Sequence, residues 1–244
     1  MKKGIYTILR NRSIAAEIYE MVLQGDTTSI TAPGQFLNIL LDGFYLRRPI
    51  SICDWDAETI TIIYKVVGQG TAVMAKMQPG QQLDILCGLG NGFDPALSGD
   101  APLLIGGGVG VPPMYGLAKR LVAEGKKPVA ILGFNTAADV FYQAEFEALG
   151  VPTQITTADG SVGIRGFVTD AMAACADRSF FYTCGPEPML KAISMATELD
   201  GQLSFEARMG CGFGACMGCS CEIKYGNKRI CKEGPVLRKE EVIW

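Results

Sequence analysis

Up to about residue 98, apolar positions come in short runs separated by turn residues, which predicts strands rather than helices. The candidates are Ile5 to Leu9, Ala15 to Leu23, Gln35 to Leu41, Pro49 to Cys53, Thr59 to Val67 and Gln82 to Leu86. Ala32-Pro33-Gly34 and Gln78-Pro79-Gly80 mark turns. A single helix, from about Thr71 to Met77, interrupts the series. The pattern predicts a small antiparallel β-barrel. From about Ala101, strand-like runs alternate with helical ones. Leu103 to Ile105 precedes a helix from Pro112 to Glu124, and Pro128 to Gly133 precedes one near Ala144 to Leu149. Thr153 to Thr157 precedes a helix near Val168 to Cys175, and Phe180 to Thr183 precedes one from Glu187 to Leu199. That alternation predicts a doubly wound parallel sheet. Residues 201 to 244 carry a cysteine-rich loop and a short terminal hairpin. The expected domains are therefore a barrel over 1–98, an α/β domain over 99–200 and a small domain over 201–244.

Composition narrows the chemistry. The 244 residues are 48% hydrophobic, enough to bury a core. There is no run of 18 apolar residues to span a membrane. Met1-Lys2-Lys3 is not followed by the apolar stretch of a signal peptide, so the expected compartment is reducing cytoplasm. Net charge is −3 without a long basic run, which argues against nucleic acid. The chain has no histidine. That excludes a Rieske centre, histidine-held haem, a histidine zinc site and any Ser–His or Cys–His catalytic pair. Cofactors must then carry most of the chemistry.

Five of the nine cysteines lie between Cys211 and Cys231. Cys211, Cys216, Cys219 and Cys231 read C-x4-C-x2-C followed by a distant fourth cysteine, the plant-type spacing for a [2Fe–2S] cluster. The glycines of Met209 to Cys219 let the backbone bring N–H groups close to the sulfurs. Zinc is one alternative, since Cys216 and Cys219 form a C-x2-C pair, but structural zinc usually takes two such pairs. Disulfides are another; the odd cysteine count and the missing secretion signal oppose them. Cys221 reads as a small packed strand residue.

Further motifs have the chemistry to bind phosphate or flat rings. Arg47-Arg48-Pro49-Ile50-Ser51 enters a barrel strand, and an arginine fork suits a diphosphate. Gly68-Gln69-Gly70-Thr71 precedes a helix N-terminus whose free N–H groups favour an anion. Tyr64 could stack on a flat ring, or be an ordinary strand aromatic. Ile105 to Pro113 is a glycine-rich phosphate loop between strand and helix, with Gly107, Gly108 and Gly110 inside it. It is not a strict G-x-G-x-x-G, because Pro112 and Pro113 stand where a third glycine would fall. Cys184-Gly185-Pro186 ends the last predicted strand at the same carboxyl edge, where open α/β sheets bind ligands.

Together these residues resemble the ferredoxin–NADP reductase superfamily. The order barrel, nucleotide domain, cysteine loop is similar to that of the electron transfer subunits of class B dihydroorotate dehydrogenase, over essentially the whole chain. The resemblance rests on Arg48 to Ser51, Gly70-Thr71, the Gly106 to Pro113 loop, Cys184 to Pro186, and Glu206 to Cys211 with the cysteines after it. It implies a flavin-binding antiparallel β-barrel, a doubly wound NAD-binding sheet and a [2Fe–2S] domain. It implies FAD held by Arg48, Pro49, Ile50 and Ser51, by Ile63, Tyr64 and Lys65, and by Gly70 and Thr71. It implies cluster ligation by Cys211, Cys216, Cys219 and Cys231. Ile50 stands where the superfamily usually has an aromatic residue, so ring stacking is not expected there. The implied partner is an FMN-containing subunit that oxidises dihydroorotate in pyrimidine synthesis, in a two-plus-two heterotetramer. This chain would pass its electrons to NAD+. Asp159 in Thr157 to Ser161 would repel the 2′-phosphate of NADP, which favours NAD, with Arg165 nearby as the opposing charge. The alternative is the NAD(P)H-oxidising subunit of a ferredoxin reductase, sulfide dehydrogenase or hydrogenase complex.

Overall fold

The computed structural model describes residues 1–175 and 177–244. The first half is a barrel of β1 (Lys2–Ala15), β2 (Ile18–Gln24), β3 (Phe36–Ile39), β4 (Arg48–Trp55), β5 (Thr59–Lys65) and β6 (Gln82–Leu89). It closes in the order β1-β2-β5-β4-β3-β6, with every pair antiparallel. Residues alternate across its wall. Ile60, Ile62 and Tyr64 of β5 turn into the barrel core beside Leu37, Ile39, Ile52 and Ile85, while Ile63 turns out into a core shared with the second domain. Helix α1 (Gln69–Met74) connects β5 to β6.

The expected strand Ala15 to Leu23 is divided. Ala15 ends β1, and β2 begins at Ile18. The chain reverses at Ala16-Glu17, with Glu17 in the left-handed region at φ 58°. The turn contains no glycine, proline or asparagine to announce it.

The second half holds β7 (Leu103–Gly107), α2 (Val111–Ala123), β8 (Val129–Phe134), α3 (Gln143–Ala148), β9 (Thr153–Thr157), β10 (Ile164–Arg165), α4 (Val168–Met172), β11 (Phe181–Cys184) and α5 (Glu187–Ala196). It continues with β12 (Gly201–Ser204), β13 (Ser220–Ile223), β14 (Gly226–Arg229) and β15 (Val236–Arg238). One sheet runs β10-β9-β8-β7-β11-β12-β15, parallel throughout except for β15. The chain winds outward from β7 through β10, then returns to lay β11 on the other side of β7. That reversal opens a crevice at the carboxyl ends of β7 and β11. The sheet takes its last two strands from beyond residue 200, so the cysteine-bearing segment is rooted in it. Between those strands, β13 and β14 form a separate hairpin.

Barrel and sheet are bound together at several points. Lys119 of α2 pairs with Asp54 of β4 at 2.6 Å. The Tyr142 hydroxyl donates to buried Glu20 of β2 at 3.1 Å, and the Ala16 N–H donates to the Ala138 carbonyl at 3.1 Å. Asn91, just past the barrel, serves Val236 as a strand would: its Nδ2 donates to the Val236 carbonyl at 2.7 Å, and its Oδ1 accepts from the Val236 N–H at 3.1 Å. Among the described residues, no helix is long and apolar enough to cross a membrane.

Candidate functional site

Arg48 to Ser51 begin β4 and are half-buried. The Arg48 guanidinium lies 4.7 Å from the centre of the Phe44 ring and donates to the Leu46 carbonyl at 2.5 Å. Gly70 passes directly beneath it: a Cβ there would sit 2.2 Å from Arg48 Nε. The missing side chain therefore lets the guanidinium lie across the first turn of α1, where backbone N–H groups lack helical partners. Thr71 stabilises that turn. Its hydroxyl accepts from the N–H groups of Val67 at 3.0 Å and Gly68 at 3.3 Å and donates to the Gly68 carbonyl at 3.1 Å. Arg47, by contrast, is spent on structure. It pairs with Asp84 at 2.7 Å and donates to the Asn38 and Asp84 carbonyls.

Of its two readings, Tyr64 takes that of the ordinary strand aromatic. Its ring lies in the barrel core, stacked with Tyr19 at 5.8 Å, and its hydroxyl donates to Asn11 Oδ1 at 3.0 Å. It cannot stack on a ligand outside the barrel. The period-two alternation of β5 turns it inward, and Ile63 is buried in the core shared with the second domain, so that strand can meet a ligand through its backbone or Lys65.

At the crevice, β7 runs through Gly107 into a tight turn over Gly108–Gly110, and α2 follows. Cys184 ends β11 in register with Gly106. Gly110 lies against it so closely that a Cβ would sit 2.1 Å from the Cys184 carbonyl oxygen. The sequence-predicted set Gly107, Gly108, Gly110, Cys184, Gly185 and Pro186 thus forms one backbone-lined surface at the switch point. Burial pushes the Cys184 thiol up to about 12, and Ser204 only partly opposes it. A neutral thiol is a poor nucleophile, which leaves Cys184 to shape the surface.

Asp159 sits past the carboxyl end of β9. Its Oδ1 accepts from the Ser161 hydroxyl at 2.6 Å and N–H at 2.9 Å, and these bonds hold its carboxyl below the usual range. Arg165 flanks the same turn, since a Cβ on Gly160 would lie 2.8 Å from Arg165 Cγ.

The four cysteines of the C-terminal loop fall into two pairs. The N–H of Cys211 points at Cys216 Sγ at 3.4 Å, and that of Cys231 at Cys219 Sγ at 3.4 Å. The N–H groups of Phe213, Ala215 and Cys216 converge on Cys211 Sγ at 3.2–3.5 Å. Burial alone would raise the Cys211 thiol, but these N–H groups outweigh it and bring it down to about 6. Among the described residues, no three His, Cys, Asp or Glu side chains gather to hold a single metal ion. A two-iron cluster asks only two thiolates of the protein at each iron, since bridging sulfides complete the rest. Two soft-donor pairs with backbone N–H groups aimed at sulfur fit that demand. Cys221 lies outside the pairs, opposite Lys228 in the hairpin. A cavity of about 370 Å³ behind the hairpin is lined by Glu187, Glu206, Arg208, Cys219, Cys221 and Glu222, among others.

One important residue escaped sequence reasoning. Asn38 of β3 is buried, and its Nδ2 donates to the Cys211 carbonyl at 3.4 Å. Its register partner on the adjacent strand is Pro49 of β4. The cysteine loop therefore rests on the barrel wall beside the strand that carries Arg48. The available signal was a lone amide within Phe36-Leu37-Asn38-Ile39-Leu40-Leu41.

A flavin-type barrel, a nucleotide crevice and a paired-thiol loop, joined by contacts between them, define an NAD-linked flavin and iron–sulfur oxidoreductase. Comparison with known proteins narrows the class. Residues 206–243 match the iron–sulfur cluster binding domain of dihydroorotate dehydrogenase B, and residues 104–195 match the oxidoreductase NAD-binding domain. The dihydroorotate dehydrogenase B (NAD(+)) electron transfer subunit of Geobacillus sp. (strain WCH70) is 43% identical, covering 100% of this chain and 99% of the relative. That of Bacillus pumilus (strain SAFR-032) is 45% identical over 99% of this chain and 98% of the relative. The chain belongs to the family of dihydroorotate dehydrogenase B electron transfer subunits. Among solved structures, an NADH-dependent reduced ferredoxin-NADP oxidoreductase superposes with TM-score 0.88 at 28% identity, over 99% of this chain and 90% of that one. An Amycolatopsis cytochrome P450 reductase, at TM-score 0.70 and 20% identity over 80% of this chain and 65% of that one, shares the fold alone.

Proposed function

We propose that this chain carries electrons between an FMN-containing subunit that oxidises dihydroorotate and NAD+, by way of a [2Fe–2S] cluster and FAD. The reading rests above all on one observation: the cysteine loop docks through Asn38 and Cys211 onto the barrel strand next to Arg48–Ser51. When bound, FAD exchanges a hydride with nicotinamide and single electrons with the cluster. The chain's residues hold and separate these groups. Arg48 clamps the flavin diphosphate with its fork, aided by the first turn of α1 over Gly70 and Thr71. Gly107, Gly108 and Gly110 cradle the nucleotide pyrophosphate, and Cys184 to Pro186 shape the nicotinamide pocket. Cys211, Cys216, Cys219 and Cys231 would hold the cluster. Asp159, held ionised by Ser161, disfavours the 2′-phosphate of NADP.

In this reading the chain acts on dihydroorotate only with its partner, in a two-plus-two heterotetramer in the cytoplasm. Exposed Phe213 and Met217 on the cysteine loop supply apolar docking contacts. A second reading, a subunit of a ferredoxin–NADP oxidoreductase, draws on the structural similarity at TM-score 0.88. The higher identity of the dihydroorotate dehydrogenase relatives, 43–45% against 28%, favours the first.

The test is a visible spectrum of anaerobically purified protein titrated with NADH, then with dihydroorotate in the presence of the co-expressed FMN subunit. Bleaching of flavin and iron–sulfur bands by NADH, and by dihydroorotate only with the partner present, is expected. Bleaching by NADH with no response to dihydroorotate would move the chain to the second reading. A colourless protein that stays colourless after reconstitution would overturn both.

A further inference from the structure

The outer face of β3 is the platform on which the cysteine loop sits. Phe36 and Asn38 point out from it, while Leu37 and Ile39 turn into the barrel. Phe36 belongs to the same apolar core as Cys219 and Cys231. Asn38 is 1% exposed, yet its Oδ1 has no hydrogen-bond partner among the described residues. An apolar residue would suit a buried strand face better, because it leaves no amide oxygen unpaired. The half-used amide is therefore poorly explained by stability. Its engaged half reaches Cys211, at the end of the loop nearest the strand pair β3–β4. Gly212 shows how close that contact is: at φ 78°, a Cβ there would lie 2.3 Å from Asn38 Nδ2. The Asn38 backbone is fixed as well, since Arg47 Nη1 donates to its carbonyl at 3.2 Å while Arg47 pairs with Asp84.

We propose that Asn38 is a positioning residue for electron transfer between flavin and cluster, its amide setting the distance and orientation of the Cys211 end of the cysteine loop against the flavin-binding wall. The proposal rests on the cofactor chain given above and adds the element that couples its two halves. Among the described residues, the one side-chain bond of Asn38 goes to the loop backbone, at the Cys211 carbonyl. It acts through the Cys211 carbonyl, whose neighbouring sulfur already collects three backbone N–H groups. A tilt of the loop would alter both the separation and those N–H···S contacts, and hydrogen bonds to sulfur tune a cluster's potential.

The test compares the loaded wild-type protein with Asn38→Leu, which removes the bond and keeps the bulk. Rapid mixing with NADH resolves flavin bleaching from cluster bleaching, and electron paramagnetic resonance of the reduced protein reports the cluster's surroundings. The expected result is an unchanged flavin phase, a cluster phase slowed severalfold, and an altered resonance. Asn38→Ser provides a second, milder variant should Asn38→Leu fail to retain iron. Wild-type cluster phase and resonance in the variants would overturn the proposal. Loss of iron from both variants with FAD retained would also overturn it, by reducing Asn38 to a structural anchor. Wild-type protein in which NADH bleaches neither band would instead overturn the underlying functional reading.

Discussion

Replacing Gly70 with alanine separates flavin binding from folding. The new methyl would begin 2.2 Å from Arg48 Nε and 3.0 Å from Cζ. Backbone is not in its way. The guanidinium is, and it can swing outward because Arg48 is only half-buried. The fold should therefore be little affected. Alanine gains about 0.5–1 kcal/mol over glycine within a helix, which offsets much of the cost of moving the arginine. A change under about 1 kcal/mol moves the melting temperature of a chain this size by no more than about 2–4 °C. The flavin bears the loss. A charge-assisted hydrogen bond contributes about 1.5–3 kcal/mol, so Gly70→Ala should weaken FAD binding by about 10- to 150-fold. Quenching of flavin fluorescence on titration into the deflavinated protein measures this directly. Arg48→Ala should cost a similar amount, and Gly70→Ala on top of it should add almost nothing, because both remove the same contact. An FAD dissociation constant within about twofold of wild type, or full additivity of the two variants, would refute the argument that Gly70 acts by seating Arg48.

Three further outcomes are expected. Cys221→Ser should keep the iron content and visible spectrum of wild type, whereas Cys231→Ser should lose both; equal loss would place Cys221 among the ligands. Burial would raise the Glu20 carboxyl, but Arg12 and Arg10 outweigh it and hold it below its ordinary 4.5. Its stabilisation is then present above that pH and is lost as pH falls through the lowered value. Wild type should exceed Glu20→Gln in unfolding free energy by about 1–2 kcal/mol near neutrality, and the two should converge in acid; a gap independent of pH would show that charge is not the cause. Asp159→Ala should narrow the preference for NADH over NADPH in flavin reduction, and an unchanged ratio of kcat/KM values would remove Asp159 from coenzyme selection.

What the sequence revealed depended on how far apart the interacting residues lie. The barrel and the wound sheet were legible because period-two and strand–helix patterns are local. The cysteine spacing from Cys211 to Cys231 was legible for the same reason, since it is a pattern within one short segment. Ala16-Glu17 was not, because Glu17 adopts a positive φ that its residue type does not advertise. Tyr64 was legible in principle: the alternation that turns Ile60 and Ile62 inward also turns Tyr64 inward. The contact of Asn38 with Cys211 spans 173 residues. Both partners look ordinary in their own surroundings, and no local pattern pairs them. The same holds for Tyr142 and Glu20, 122 residues apart. Contacts of this kind join the domains, so the relation between sites was the part hidden from the sequence.

That relation bears on where the proposed electron path can leave the chain. β12 and β15 make the cysteine segment an outgrowth of the nucleotide sheet, and Asn91 fastens β15 back to the end of the barrel. The loop is therefore tied to both neighbours rather than to one. Its thiols are not equivalent in that position. Cys219 and Cys231 are buried, in the same apolar core as Phe36 and Leu89 of the barrel, while Cys216 is exposed. A one-electron carrier works between two partners only if each can come close to a different side. Here one side is closed by the protein's own barrel, and the open side is the one bearing Cys216, with Phe213 and Met217 exposed around it. Under the proposed function, an external redox partner would approach there.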